Sequence, residues 1–250
     1  MAPTMRGNSL RKETHHVFPT QTQDVDPLHI RKDIERYSRP FKTGTSLLLE
    51  GDENECIFFV VEGWLALSKS LEDGQTQIID FAIPGDFVDP SSADGRTSPV
   101  SVDAMTDGSV AIIPYARWET LTHDNAALRR RAHSVDAAEQ ARRAERMLRL
   151  GKGTAEMRVA YAILEFCVRL GSVCQSDDPV FHIPLTQKQL GDFIGLSSVH
   201  VCRTMRRMTR NGVIRMTDHM DIRVLDPQGL AEMAGVDQAT LRREIMPEVV

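Results

Sequence analysis

The sequence predicts an α+β fold made of an N-terminal β-roll, a long helix and a C-terminal helix-turn-helix with a hairpin behind it. Three observations predict this order. Short β-branched and aromatic runs broken by Gly, Asp and Pro occupy residues 41–113, an apolar period close to 3.6 follows from about 117, and two short capped helices begin near 186. The predicted segments are a flexible tail at 1–25, the β-roll at 26–116, the long helix at 117–150 and the last domain at 151–250.

The predicted β-roll consists of short strands with turn residues between them. The pair Asp73-Gly74, flanked by two alternating runs, is the strongest hairpin signal in this half of the chain. Many short antiparallel strands close naturally into a small barrel or a double-sheet roll. The predicted strands are residues 46–49, 57–62, 64–70, 76–82, 100–104 and 109–114.

Composition argues against several classes of protein. The 250 residues are 41% hydrophobic but contain no run of about 18 apolar residues, and the N-terminus lacks the apolar segment of a signal peptide. We therefore expect a cytoplasmic protein without a membrane partner. The four cysteines form no C-x-x-C pair, which argues against a disulfide framework and a Cys-rich zinc site; they are Cys56, Cys167, Cys174 and Cys202.

The sequence predicts neither an enzyme nor a metal site. A cupin-type barrel would need clustered histidines and a carboxylate on adjacent strands, but residues 41–114 contain no histidine. The adjacent pair His15 and His16 has no further ligands near it. No Ser-His-Asp set, glycine-rich phosphate loop or paired-carboxylate pattern stands out elsewhere.

The long helix is predicted to form a two-stranded dimer seam. Small Ala positions on its apolar stripe allow a second helix to approach closely, and its flanks are heavily charged. Arginines around the stripe, Arg142 and Arg146 among them, are expected to be solvated. The alternative is that the stripe packs on the chain's own domain. The predicted seam residues are Leu128, Ala132, Val135, Ala138, Ala141 and Leu148.

Two short helices joined by a tight turn are predicted next. Thr186 is positioned to cap the first helix, and Gln189, three residues on, can complete a capping box. Gly195 stands where a tight interhelical turn needs a positive φ. Ser197 is positioned to cap the second helix, which we expect to end near residue 209.

The second helix is suited to double-stranded DNA. Although the formal net charge is -5, residues 197–216 carry five arginines and no Asp or Glu, and a hairpin at 213–225 would form a wing. Arg203 is the best candidate for a bidentate contact to guanine, and Val199 could pack on a thymine methyl. The predicted base-contacting residues are Ser198, Val199, His200, Cys202 and Arg203, and the predicted phosphate-contacting residues are Thr186, Gln187, Arg206, Arg207 and Arg210.

This arrangement resembles the cyclic-AMP receptor protein and fumarate-nitrate regulator (Crp/Fnr) family of transcription regulators over residues 40–235. The stretches at 185–204 and 211–214 carry the resemblance most specifically, and Val199-His200-Val201-Cys202-Arg203 is similar to the alphaproteobacterial-type branch, with Cys202 where Asn is usual. The resemblance implies a cyclic-nucleotide-binding-like β-roll, a homodimer reading an inverted-repeat operator, and contact with RNA polymerase. It does not say whether transcription is activated or repressed.

The chain departs from the family at the effector site. Where cyclic-nucleotide-binding members carry Gly-Glu and Arg-Ser, residues 89–92 read Asp-Pro-Ser-Ser and 97–99 read Thr-Ser-Pro, so cyclic AMP is not expected, although Arg96 is close. No cysteine precedes Cys56, which argues against an N-terminal iron-sulfur cluster. No cofactor is predicted; haem, an unidentified small effector and regulation without any effector all remain open. Cys202 is a candidate redox switch, with an inert thiol as the alternative.

Overall fold

The computed structural model describes residues 34–93, 95, 97–171, 180–217 and 221–247. The predicted tail, Arg96 and Cys174 lie outside these residues. The strands are β1 (Ser38–Phe41), β2 (Ser46–Leu48), β3 (Cys56–Glu62), β4 (Leu65–Ser70), β5 (Thr76–Ala82), β6 (Phe87–Val88), β7 (Ser101–Ala104), β8 (Gly108–Pro114), β9 (Val180–His182), β10 (Ile214–Met216) and β11 (Asp221–Val224). The helices are α1 (Tyr115–Asp124), α2 (Ala126–Lys152), α3 (Ala155–Arg169), α4 (Gln187–Ile194), α5 (Ser198–Arg210), α6 (Pro227–Ala234) and α7 (Gln238–Ile245).

The predicted β-roll is confirmed as two four-stranded antiparallel sheets, with strand orders β1-β8-β3-β6 and β2-β7-β4-β5. The roll also contains β1 and β6, which the sequence did not predict. Pro40 lies within β1, and a proline argues against a strand except at the edge of a sheet, which is where β1 lies. With only two residues, β6 is too short to show an alternating pattern.

Apolar side chains from both sheets meet inside the roll. Phe58 and Val60 of β3 belong to the same buried cluster as Leu65 and Leu67 of β4. The hairpin predicted at Asp73-Gly74 joins β4 to β5, which pair antiparallel with one irregularity between Leu67 and Ser68. The interior of the roll is therefore an apolar core, and the hydrophobic effect accounts for its closure.

The prediction of one long helix at 117–150 is wrong. The chain forms two helices there, α1 and α2, and Asn125 separates them. Asn125 adopts an extended backbone and its side chain accepts a hydrogen bond of 2.9 Å from the backbone N–H of Leu128. An apolar period continues across such an N-cap, so periodicity alone could not reveal the interruption. The second of these helices continues through Gly151 to Lys152, two residues beyond the predicted end at 150.

The predicted dimer seam needs correction, because most of it faces the chain's own core. The apolar stripe of α2 packs on the rest of the same chain, so it is not the face that is free to contact a second helix. Leu128, Val135 and Ala138 are buried within the chain, Ala132 and Ala141 are half-buried, and Leu148 is exposed. The expectation of solvated arginines is also wrong for Arg142 and Arg146, which are buried on that same inner face.

The C-terminal part packs onto the roll through an aromatic cluster. Phe81 of β5 lies 5.8 Å from Phe166 of α3 and 5.0 Å from Phe193 of α4, measured between ring centroids. Trp64 lies 5.4 Å from Phe166. Strands β10, β11 and β9 form a separate antiparallel sheet, and α6 and α7 pack against α3. Buried aromatic surface therefore holds the two parts of the chain together.

In the ranges that the structure describes, no helix is long and apolar enough to cross a membrane. In the same ranges, no group of three or more His, Cys, Asp or Glu side chains could hold a metal ion.

Phe81→Ala is expected to destabilise the folded chain by about 3–5 kcal/mol, since it removes a fully buried ring from the aromatic cluster and leaves a cavity. Urea unfolding measures the change. Phe87→Ala is the matched control: Phe87 is only half-buried, so its loss should cost clearly less. Equal costs for the two variants would contradict this account of the junction.

Candidate nucleic-acid interface

The first helix of the predicted pair begins with the predicted capping box. The Thr186 side chain accepts from the backbone N–H of Gln189 at 3.2 Å, and the Gln189 side chain accepts from the backbone N–H of Thr186 at 2.8 Å. Gln187 and Lys188 form the first turn of α4. The unpaired N–H groups and the positive dipole end of α4 therefore lie next to two of the predicted phosphate-contacting residues, Thr186 and Gln187.

The turn between α4 and α5 depends on two glycines. Gly195 has φ 66° and ψ 43°, the left-handed conformation predicted for it. Gly191, one turn earlier, was not singled out from the sequence, yet a Cβ there would lie 2.3 Å from the carbonyl oxygen of Leu196. The Leu196 N–H also donates to the Gly191 carbonyl at 3.0 Å. A glycine inside a helix, four residues before the turn glycine, is the signal that could have identified this close approach.

The second helix, α5, has one buried face and one exposed face. Ser197 caps it, accepting from the backbone N–H of His200 at 3.3 Å. Val201, Met205 and Met208 are buried, as predicted. The exposed side chains are Ser198, Val199, His200, Arg203, Arg206, Arg207, Thr209 and Arg210, and Cys202 is half-buried at the margin. Eight of the ten predicted DNA-contacting residues are exposed, and the other two, Gln187 and Cys202, are half-buried.

The first turn of α5 combines an apolar and a polar group. Val199 is 62% exposed, which is unusual for a valine and leaves its methyl groups open to contact. His200 Nδ1 lies 2.9 Å from the Ser197 hydroxyl oxygen, which orients the imidazole ring. The other ring nitrogen, Nε2, is thereby left to face outward as a hydrogen-bonding group.

The arginines of α5 differ in their surroundings. Arg207 forms an ion pair of 3.0 Å with Glu156 of α3. In the part of the chain that the structure describes, no carboxylate pairs with Arg203, Arg206 or Arg210. These three guanidinium groups therefore give α5 a cationic exposed face.

The predicted wing is confirmed. Strands β10 and β11 pair in antiparallel register, with Ile214 opposite Val224 and Met216 opposite Ile222. Strand β9 adds a third strand by pairing with β11, and His182 Nδ1 lies 2.7 Å from the carboxylate of Asp221 across that pair. The wing tip lies outside the described residues.

Two capped helices joined by a left-handed glycine, a cationic second helix and a three-stranded hairpin sheet define a winged helix-turn-helix, a class of DNA-binding domain. The chain matches the family model of the Crp-like helix-turn-helix domain over residues 157–244. It also matches the model of the cyclic nucleotide-binding domain over residues 38–125.

Relatives and solved structures agree with these matches. The transcriptional activator protein FnrA of Stutzerimonas stutzeri is 30% identical over 213 residues, which cover 85% of each chain. The nitrogen fixation regulation protein FixK of Bradyrhizobium diazoefficiens is 30% identical, over 78% of this chain and 80% of its own. The structure of FixK2 from Bradyrhizobium japonicum shares the fold with a TM-score of 0.69 at 24% identity, over 78% of this chain and 96% of that one. The chain belongs to the Crp/Fnr family of DNA-binding transcription regulators, which are not enzymes.

The described residues of the turn at 89–99 present an acidic side chain and several backbone N–H groups that already donate hydrogen bonds. The hydroxyl of Tyr115 donates to the Asp89 carboxylate at 2.6 Å, and burial together with this bond raises the pKa of Tyr115 to about 12. The backbone N–H of Ser92 donates a hydrogen bond of 2.9 Å to the carbonyl of Thr97. A phosphate site needs a cation and free N–H donors, whereas the described residues of this turn present an acidic group and donors already in use.

Gly191→Ala is expected to lower the free energy of unfolding by about 1–3 kcal/mol and to weaken DNA binding, because the added methyl group would force α4 away from the turn. Chemical denaturation and gel-shift titration measure the two effects. Gly151→Ala is the control, because a Cβ there meets nothing within 4 Å, and it should stabilise α2 slightly. A Gly191→Ala protein as stable as the control would show that the two helices are less tightly joined.

Proposed function

We propose that the protein is a homodimeric regulator that reads an inverted-repeat operator by placing α5 in the major groove of each half-site. The observation that carries this proposal is the exposed face of α5, which has three arginines without a carboxylate partner in the described ranges beside an open valine. We expect it to act in the cytoplasm, where the DNA is.

The proposed base contacts come from the first half of α5. Ser198, Val199 and His200 form its first turn, which enters the groove most deeply in this class. Arg203, one turn further on, is placed for a bidentate contact to guanine, and Val199 for the methyl group of thymine. The half-buried Cys202 lies between these turns, and its roles as a base contact and as a redox switch stay predictions.

The proposed phosphate contacts flank the base contacts. The N-terminus of α4, with Thr186 and Gln187, offers backbone N–H groups to one strand. Arg206 and Arg210 follow Arg203 along α5 and face solvent. Arg207 is already paired with Glu156, so we expect it to contribute less to the affinity for DNA than Arg206 and Arg210.

We propose a dimer seam on the outer face of α2. Exposed positions recur there with alternating spacings of four and three residues, the pattern of a two-stranded coiled coil: His133, Ala137, Gln140, Ala144 and Met147. Met147 is 73% exposed and the neighbouring Leu148 57%, an apolar surface that a second copy of α2 would cover. Of the residues predicted from sequence, Leu148 remains in this seam.

We propose that the regulator activates transcription by contact with RNA polymerase. Several relatives, FnrA among them, are named as transcriptional activators. The effector is either absent or a small molecule other than a cyclic nucleotide, since the turn at 89–99 does not suit a phosphate.

Selection of duplex DNA from a random pool with purified protein is expected to return an inverted repeat. Arg203→Ala should relax the preference at one position in each half-site, at a cost of about 1–3 kcal/mol per contact. Arg210→Ala is the matched control from the same helix: it should weaken binding to all sequences about equally. Failure to enrich any sequence, or an unchanged consensus in Arg203→Ala, would contradict the proposal.

Met147→Glu is expected to shift the protein from dimer to monomer, because it places a charge without a partner in the apolar C-terminal part of the proposed seam. Sedimentation velocity measures the change. Leu71→Glu introduces the same residue at a position of similar exposure, 66%, on the β4–β5 hairpin and should leave the dimer intact. If the wild type is a monomer, or if both variants dissociate alike, this seam is wrong.

A further inference from the structure

Six charged side chains are buried where the roll, α2 and α3 meet. Each is at most 9% exposed, and three positive charges balance three negative ones. We call this group the junction cluster. Its members are Asp80, Asp86, Arg142, Arg146, Glu165 and Arg169. Charged groups are almost never buried unless they are paired, so their arrangement carries information about the contacts between these elements.

Arg146 connects α2 to the roll. Its guanidinium donates to the carboxylate of Asp80 at 2.8 Å and to the backbone carbonyl of Ile79 at 2.7 Å, both on β5. Burial alone would raise the pKa of Asp80, but the attraction of Arg146 and of the neighbouring arginines outweighs it and holds this pKa well below its usual range. Asp80 is therefore a buried carboxylate that depends on its partners.

Arg169 connects α3 to the roll at a second point. Its Nη2 donates to the carboxylate of Asp86 at 2.6 Å and to the backbone carbonyl of Phe81 at 2.8 Å. Arg169 lies at the C-terminal end of α3, whose carbonyl groups also favour a positive charge. Two arginines on two different helices thus bind adjacent parts of the same strand and turn.

Glu165 connects α3 to α2. Its carboxylate lies 3.5 Å from Arg146, 3.5 Å from Arg169 and 4.0 Å from Arg142. In the described ranges neither of its oxygens has a hydrogen-bond partner, so charge attraction alone holds it. Glu165 is fully buried, so its carboxylate depends on these arginines as partners.

The same face of α2 also reaches the last two helices. Arg142 donates to the carbonyl of Ile245 at the end of α7, at 3.4 Å, and Arg149 donates to the carbonyl of Ala234 at the end of α6, at 3.0 Å. The Arg149 guanidinium also lies 4.0 Å from the centre of the Tyr161 ring on α3. Arginines spaced four and three residues apart on α2 therefore contact α3, α6 and α7.

Rotation of the DNA-binding domain about α2 would separate these charges. Glu165 would leave Arg146, and Arg169 would leave Asp86, so that buried charges would lose their partners at the same moment. The hydrogen-bonded pairs Arg146–Asp80 and Arg169–Asp86 also require a specific distance and direction, so together these contacts favour one orientation. Because α3 packs directly on α5, a change in the orientation of α3 would also move α5.

We propose that the junction cluster positions the recognition helix relative to α2 and thereby sets the half-site spacing that the dimer accepts. The proposal rests on the dimeric DNA-binding function proposed above. Glu165 and Asp80 are positioning residues that act through the angle of α3 and touch no DNA. Since one base pair advances about 3.4 Å along the helix axis, a tilt that moves each α5 by a few ångströms is enough to change the preferred spacing.

The test compares operators with the selected spacing against operators with one base pair added to or removed from the centre. Wild-type protein should prefer the selected spacing by about 10-fold or more, because a wrong spacing has to be met by deforming the DNA. Glu165→Gln keeps the size of the side chain but removes the charge that links α2 to α3. It should reduce the preference to about 3-fold or less, while binding to an isolated half-site stays within about 2-fold of wild type.

Controls separate the possible outcomes. Lys42→Met removes an exposed ion pair with Asp107 on the roll, away from the junction cluster, and should keep the full spacing preference. If wild-type protein binds neither full operators nor half-sites, the DNA-binding function itself fails. If wild type discriminates between spacings and folded Glu165→Gln discriminates equally, the junction cluster does not position α5 and this inference is overturned.

A second measurement covers the case in which Glu165→Gln does not fold. Amide hydrogen exchange on wild-type protein should show residues 138–149 of α2 and 157–169 of α3 exchanging together as one cooperative unit. Exchange of α3 through a separate, easier opening that leaves α2 protected would show that the two helices are not held in one orientation, and would overturn the proposal without any variant.

Discussion

A buried charge has to keep a partner of opposite sign, and this constraint determines how the two parts of the molecule meet. The β-roll supplies Asp80 and Asp86, α2 supplies Arg142 and Arg146, and α3 supplies the remaining pair of charges. Around them lies the aromatic cluster of Phe81, Phe166 and Phe193. The apolar surface provides most of the favourable free energy, and the ion pairs restrict the contact to one geometry.

The two faces of α2 have different neighbours. The inner face is occupied by the roll and the C-terminal helices, so the outer face, which carries Ala144 and Met147, is the one available to a second copy of the chain. In such a dimer, the position of each α5 follows from α2 through α3. Under this proposal, the dimer holds its two recognition helices in a defined relation without a bound cyclic nucleotide.

Local signals made much of this architecture predictable. The capping box at Thr186, the turn at Gly195 and the cap at Ser197 each depend on residues a few positions apart, and the structure confirms all three. The hairpin at Asp73-Gly74 and the wing strands were predictable for the same reason. Exposure of the α5 arginines followed from their spacing against the buried Met205 and Met208.

The features that escaped prediction depend on distant contacts. Whether Val135 faces a partner chain or the chain's own core cannot be read from the period of α2, because both faces contain alanines. Arg146 reads as a solvated residue until Asp80, 66 positions earlier, is placed beside it. Gly191 is needed because Leu196 approaches it closely, and Asn125 interrupts a helix whose apolar pattern continues.

The central claim is that a cationic helix face binds DNA through its phosphates and reads its bases. The most direct measurement is the affinity of the purified protein for its selected operator as a function of salt concentration. We predict that the logarithm of the binding constant falls steeply and linearly with the logarithm of the salt concentration, by about 10³-fold or more between 50 and 200 mM for a dimer making six or more phosphate contacts. A flat salt response would contradict the account.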